Sequence, residues 1–394
     1  MAFASLALAP IPPVQVFGLF VALGVLAAWL LTMLFLPAFI MLLGDEGLKR
    51  SIKGDEESGS RVLTLGLRGL GRFAVGKPWE FPVLFIVLAV VAVPGMMKVE
   101  VNDNPVRWFK SGSEIRVATE EFNRLFPGVY NASLILESGT PGTLTSPETL
   151  LTLVALQKHL AEIPFVGQVT SYADLVTAGA GADAVPETQN GVEAALDAVF
   201  SSSQGVIASG LIAADYQRAN VQVAMKQGDN KSMQEVLDAA DAFLAGQPFS
   251  SAATTDWAGE TYLNLVWQDK MVSGILKAFI STFIVVLVLM IILFKSLRWE
   301  LLAILPLSAT ILLVYGVIGF SGKDYDMPIA VLSTLVLGIA IDFAIHFIQR
   351  YRQLSEEEGG SVGLALGRVY EEPARAITKN ALIVALGFVP MFLT

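Results

Sequence analysis

Long uncharged apolar blocks alternate along this chain with charged connections and with one long mixed segment. Crossing a hydrocarbon core as a helix takes about 20 apolar residues in a row. Blocks of that length fall near 14–43, 79–97, 271–294, 299–320 and 327–349. Shorter apolar pieces lie at both ends. Residues 1–9 read as the tail of a span turned back by the "PIPP" of 10–13, because proline ends a helix near the interface. The block 378–394 predicts a span that stops early, since at 1.5 Å per residue it reaches only about 25 Å of a core about 30 Å thick. Both ends are thus expected inside membrane helices of a longer polytopic protein.

The segment 98–270 follows another pattern. "ASLILES" (132–138) and "VGQVTSY" (166–172) read as strands, and "RANVQVAMKQ" (218–227) alternates as a half-buried strand does. The stretch 146–163 opens on a Ser cap and carries a helical stripe; 232–245 places Met233, Val236, Leu237, Ala240, Phe243 and Leu244 on one helix face. Paired strand–helix–strand rounds suggest a split βαβ, ferredoxin-like α+β domain. The Ala-, Gly- and Ser-rich stretch 178–215 reads as a flexible insertion between the rounds. From about Glu260 neither Pro nor a turn cluster intervenes, which predicts one helix running on into the span at 271.

Composition and charge sharpen this picture. Hydrophobic residues make up 54% of the 394 positions and charged residues only 16%, a membrane protein's balance. No charge precedes Asp45, so the first block lacks the basic start of a signal peptide and reads as a true span. The chain has no cysteine, which excludes disulfides and thiol chemistry. Lys49, Arg50, Lys53, Arg61, Arg68, Arg72 and Lys77 crowd the linker 44–78. Lys295 and Arg298 mark the next connection, and Arg350, Arg352, Arg368, Arg375 and Lys379 follow the fifth span. The positive-inside rule puts these three connections in the cytoplasm, and "PIPP", 98–270 and "SGKDYDMP" (321–328) on the other side. The segment 98–270 then carries the excess behind the net charge of −10.

Within the apolar run "LVLGIAIDFAIHFIQRYRQ", Leu335 to Gln353, stands Asp342. Burying a charged carboxylate at the centre of a membrane helix costs about 2.5–3.5 kcal/mol on insertion scales, so such acids are read as functional. An acid that exchanges a proton with each side in turn draws on about 2.3 kcal/mol per charge per 100 mV. The bland alternative is an interhelical hydrogen-bond anchor. Thr334, Gly338, Asp342, His346 and Gln349 recur at helical spacing along one face. Gly338 lets a second helix approach closely. His346, one turn toward the cytoplasm, either passes protons or is simply a polar interfacial residue.

Other motifs point to less. His159 and Glu162 in "HLAE" read as a solvated pair rather than zinc ligands, and the glycines of "GLRGLGRF" (66–73) follow no strand, so that stretch reads as a basic amphipathic helix at the cytoplasmic surface. Asn131-Ala-Ser133 and Asn230-Lys-Ser232 fit the glycosylation pattern, and no Walker motif occurs. The stretch 361–378 reads as an interfacial helix or a plain linker.

"FKSLRWELLAILPLSATILLVYGVIGF", "MPIAVLSTLVLGIAIDFAIHFIQRYRQ" and "ARAITKNALIVALGF" together resemble the resistance-nodulation-division (RND) superfamily, specifically its MMPL-like exporters related to sterol-sensing-domain proteins. "SLALAPIPPVQVFGLFVALGVLAAWLLTMLFLPAFIMLL" is similar to the last two helices of that family's first membrane repeat. The resemblance implies a polytopic α-helical membrane protein, a partial RND-type bundle, with an α+β ferredoxin-like porter domain outside the membrane. On that plan 1–43 ends the first repeat, 44–78 is a cytoplasmic basic linker, 79–97 a transmembrane helix and 98–270 the periplasmic porter domain. Three transmembrane helices follow over 271–349, a cytoplasmic amphipathic segment over 350–377, and a truncated helix over 378–394.

What the resemblance implies for function is a secondary active transporter, not an enzyme: a proton antiporter that exports lipidic or hydrophobic small molecules across or from a bacterial inner membrane. Its proton relay would comprise Asp342, His346, Thr378 and Asn380, with Gly338 at the helix packing. Lys379 and Phe343 depart from the family pattern, the latter where many relatives place Tyr. Hydrophobic or lipid substrate and the bilayer are the implied partners, with a homo-oligomer and a periplasmic partner protein further expectations; no nucleic acid, cofactor or metal is implied. The alternatives are a sterol-sensing-like lipid-binding membrane protein without transport, and a SecDF-like protein-export accessory.

Overall fold

The computed structural model describes residues 12–57, 61–179, 185–249, 253–371 and 373–392. The tail 1–9 and the first half of the expected turn at 10–13 therefore lie outside the described residues. In chain order come α1 (Pro12–Glu57), α2 (Arg61–Gly76), α3 (Glu80–Met96), α4 (Glu114–Leu125), β1 (Tyr130–Ser138), α5 (Pro147–Ala161), β2 (Val166–Thr170) and α6 (Tyr172–Gly179). Then follow α7 (Gln189–Phe200), α8 (Gly205–Leu211), β3 (Arg218–Met225), α9 (Asn230–Gly246), β4 (Ala253–Ala258), α10 (Glu260–Phe294), α11 (Leu297–Phe320), α12 (Met327–Glu357), α13 (Val362–Glu371) and α14 (Pro373–Gly387). They form two compact units, Met1–Glu100 with Met271–Thr394, and Val101–Lys270.

In the first unit three described helices are long and apolar enough to cross a membrane: α1 over Pro12–Leu42, α10, and α11. The pair α2 and α3 passes the same test only together, bent by 96°. This is a multi-pass membrane protein. The linker 44–78 is largely helical: α1 runs on past the expected span end at 43 to Glu57, with no proline after Pro37 to stop it, and α2 fills Arg61–Gly76, taking in the amphipathic helix expected at 66–73. The terminal block begins its helix earlier, at Pro373, and α14 ends at Gly387, where Pro390 turns the chain into a short 3-10 helix over Val389–Phe392.

Close backbone contact holds α3 to α11. A Cβ on Gly319 would lie 1.8 Å from the Gly95 carbonyl oxygen, and one on Gly95 would lie 2.4 Å from that of Gly316. Only glycine permits this approach, and small residues are how helices cohere where lipid gives no hydrophobic drive. α12 starts at a defined point: the Asp326 carboxylate accepts from the Ile329 amide at 3.2 Å and is also held by Lys323. Its Ile341 and Ile348 join Met290 and Phe294 of α10 and Ala303 and Leu307 of α11 in one apolar core.

The second unit is built on a four-stranded antiparallel sheet of order β2-β3-β1-β4. Alternation does the work: Ala132, Leu134 and Leu136 of β1, and Ala219, Val221 and Val223 of β3, turn into one core with Leu153 and Leu156 of α5 and Met233 and Val236 of α9. Ser146 caps α5 by accepting from Thr149 N at 3.2 Å, and Asp229 caps α9 through Ser232 N at 3.2 Å. The stretch 178–215 is not a flexible insertion over its described residues. It folds as α7 and α8, which bury Val192, Leu196, Ala208 and Leu211. His159 is also not merely solvated; its ring stacks on Phe243 at 5.4 Å. Tyr172 is fully buried and donates its hydroxyl to the Leu144 carbonyl at 2.6 Å; burial raises its pKa above the ordinary tyrosine value.

Candidate functional site

The candidate site is α12, whose 3.6-residue period sorts its side chains into three faces. One face holds Ile341 and Ile348, packed into the core with α10 and α11. A second holds Phe343 and Phe347. The third holds Asp342, His346 and Gln349, all three exposed. Thr334 and Gly338 belong to the same helix, and their side chains lie outside the described residues.

Two cavities flank the helix. A cleft of about 420 Å³ between α12 and α14 is lined by His346, Gln349, Arg350 and Gln353 from one side and by Ile377 and Asn380 from the other. His346 and Asn380 thus come together, as two of the four residues expected in the relay. Asp342 lies one turn away along the same α12 face and is not part of the cleft wall. Thr378 does not join them: its hydroxyl donates to the Ala374 carbonyl within α14, at 2.7 Å.

The second cavity was not foreseen. It measures about 940 Å³ and is almost wholly apolar, with Trp299, Leu302 and Pro306 of α11, Phe343 and Phe347 of α12 and Phe388 after α14 in its wall. Its one signal in the sequence is the run Phe343, Phe347, Tyr351 at four-residue spacing. Trp299 and Tyr351 close one end, with ring centroids 5.6 Å apart. Glu300 was likewise missed. It stands in the first turn of α11, only 1% exposed, and neither carboxylate oxygen has a hydrogen-bond partner among the described residues. Arg352 of α12 donates to the Phe294 carbonyl at the end of α10, at 3.2 Å. No group of three His, Asp or Glu gathers to hold a metal among the described residues.

Comparison with known proteins fixes the family. The MMPL family profile matches residues 1–80 and 110–394. The chain belongs to the MMPL family. It is also similar to a protein of Methanocaldococcus jannaschii described as a membrane protein, with 23% identity over 168 residues. That match covers 42% of this chain and 42% of the relative, so this MMPL chain spans well under two thirds of the relative's length. The residues matched by the family profile include all of α12 and α14, and so every residue of the candidate site.

Proposed function

We propose that the protein is a proton-driven exporter of the RND kind, which moves lipidic or other hydrophobic cargo in exchange for protons bound and released at Asp342. The observation that carries this reading is the sorting of α12, in which a carboxylate, an imidazole and an amide share one exposed face while the other two faces are apolar. An acid kept on such a helix is costly without a task. His346 one turn on, and Asn380 across the cleft, supply hydrogen-bonding groups between Asp342 and the basic end of the helix. The apolar cavity supports a hydrophobic cargo. For the sheet unit, a ferredoxin-like porter domain is supported by four antiparallel strands in the order β2-β3-β1-β4, with α5 and α9 as the crossover helices. This unit stands outside the cytoplasmic membrane in the proposal, a placement supported by the basic connections on the other side.

The test is Asp342→Asn in the full-length protein, reconstituted in vesicles under an imposed pH gradient. Cargo-dependent proton flux is expected to disappear while the protein remains folded and monodisperse. Flux at the level of the unaltered protein sinks the reading. The 940 Å³ cavity also favours a second reading, a sterol-sensing-like protein that binds lipid without transport. In that case the unaltered protein shows no proton flux, and Asp342→Asn leaves lipid binding intact.

A further inference from the structure

The short helix α2 has no part in the transport reading, yet its surface is sorted as sharply as that of α12. Its residues divide by angle around the axis. One side, with Leu67, Gly71 and Ala74, packs toward α13: Gly71 is buried, and a Cβ there would meet the Tyr370 ring at 2.7 Å. Arg68 pairs with Glu371 at 3.3 Å along the same seam. A second side presents Leu70 and Phe73, 51% and 45% exposed. A third presents Arg72, which is exposed and has no ion pair among the described residues, with Leu65, 62% exposed, two turns before it.

The placement of α2 is built, not incidental. It meets the membrane-type helix α3 at 96°, so when α3 stands across a bilayer α2 lies along its surface. The corner between them is pinned. Phe73 meets Phe81 edge-on at 5.3 Å, the Lys77 ammonium sits 5.6 Å from the Phe73 ring centre, and it also pairs with Glu80 at 2.6 Å. Trp79 stands at the corner 80% exposed, the position where tryptophan anchors a helix at the lipid–water boundary. An in-plane helix with one apolar side, one packed side and one cationic edge fits an interfacial location.

We propose that α2 is a docking surface for anionic phospholipid headgroups of the leaflet it lies on, with Leu70 and Phe73 in the acyl boundary and Arg72 as the cation that holds the phosphate. Charge complementarity selects this occupant: the free edge is basic, whereas the acidic Glu371 and Glu80 are each already paired with a cation. A neutral lipid satisfies the apolar side equally well but gains nothing at Arg72.

The chain has no cysteine, so Gly69→Cys, at an exposed position with open space for a side chain, carries a single fluorophore next to the site in the full chain. In mixed vesicles of phosphatidylcholine and phosphatidylglycerol, brominated phosphatidylglycerol is expected to quench this label more than brominated phosphatidylcholine does. Arg72→Gln should reduce that preference about fivefold, the worth of one basic residue at an anionic surface, and Arg72→Lys should retain it. Arg116→Gln, in the other unit, serves as the control. Equal quenching by both lipids, or a preference that survives Arg72→Gln, overturns the proposal. So does quenching by neither lipid, the result expected if a soluble partner covers this face.

Discussion

Leu134, Leu153 and Val221 of the sheet unit are buried to 1% or less, whereas Leu289, Ile292 and Leu301 stand 38%, 64% and 57% exposed on the membrane helices. The sheet unit draws its stability from taking such side chains out of water. The membrane helices cannot, because a hydrocarbon surrounding is as apolar as leucine itself; they cohere through backbone contact and polar placement instead. The same residue type therefore has a different worth in each unit. Polar groups differ in the same sense. The sheet unit spends Ser146 and Asp229 on helix caps, while α12 leaves Asp342, His346 and Gln349 open on one face.

Substitutions turn this contrast into numbers. Leu153→Ala, in the closed core of the sheet unit, should cost about 3–5 kcal/mol, read by hydrogen exchange at the β1 and β3 amides. Gly319→Ala forces α3 and α11 apart, because the atom it meets is a carbonyl rather than a movable side-chain tip; a loss of about 1–3 kcal/mol is expected in unfolding from lipid. A smaller effect follows from Tyr172→Phe, which removes the bond to Leu144 and should cost about 1 kcal/mol at neutral pH. Because burial raises the Tyr172 pKa above its ordinary 10.0, the folded chain holds that proton more tightly than the unfolded one. The associated stability is complete below pH 10 and falls as pH rises beyond it, and the phenylalanine variant should flatten the fall in an alkaline melting series. At the bottom, Ile292→Ala, at an exposed position on α10, should change stability by under about 0.5 kcal/mol. A cost there like that of Leu153→Ala would erase the distinction between the units.

How much of this was legible in the sequence depended on what each pattern encodes. β1, β3, α5 and α9 declared themselves because alternation and helical stripes record burial directly, and the cap Ser146 marks the start of α5; the Asp229 cap of α9 shows only in the structure. β4 did not, because "ATTDWA" is a polar edge strand that pairs on one side only. α7 and α8 hid in small residues: Val192 and Leu196 are the sole large apolar pair in the first turns of α7, amid Ala and Gly. The family was legible because α11 and α12 retain long motif runs. Asp342 stood out as a charge in an apolar run, but Glu300, beside Arg298 at a helix end, looks interfacial in sequence and proves buried. Of the 940 Å³ cavity the sequence shows only the Phe343, Phe347, Tyr351 stripe of one wall, since the hollow itself depends on where α11 and α14 stand around α12.

The glycine seam has a mechanical meaning. With the Gly95 and Gly316 carbonyl oxygens set against the glycines of the facing helix, α3 and α11 cannot slide past one another without first separating. In the exporter proposed above, α3 and α11 would then move together, and a stroke would fall to helices outside this seam.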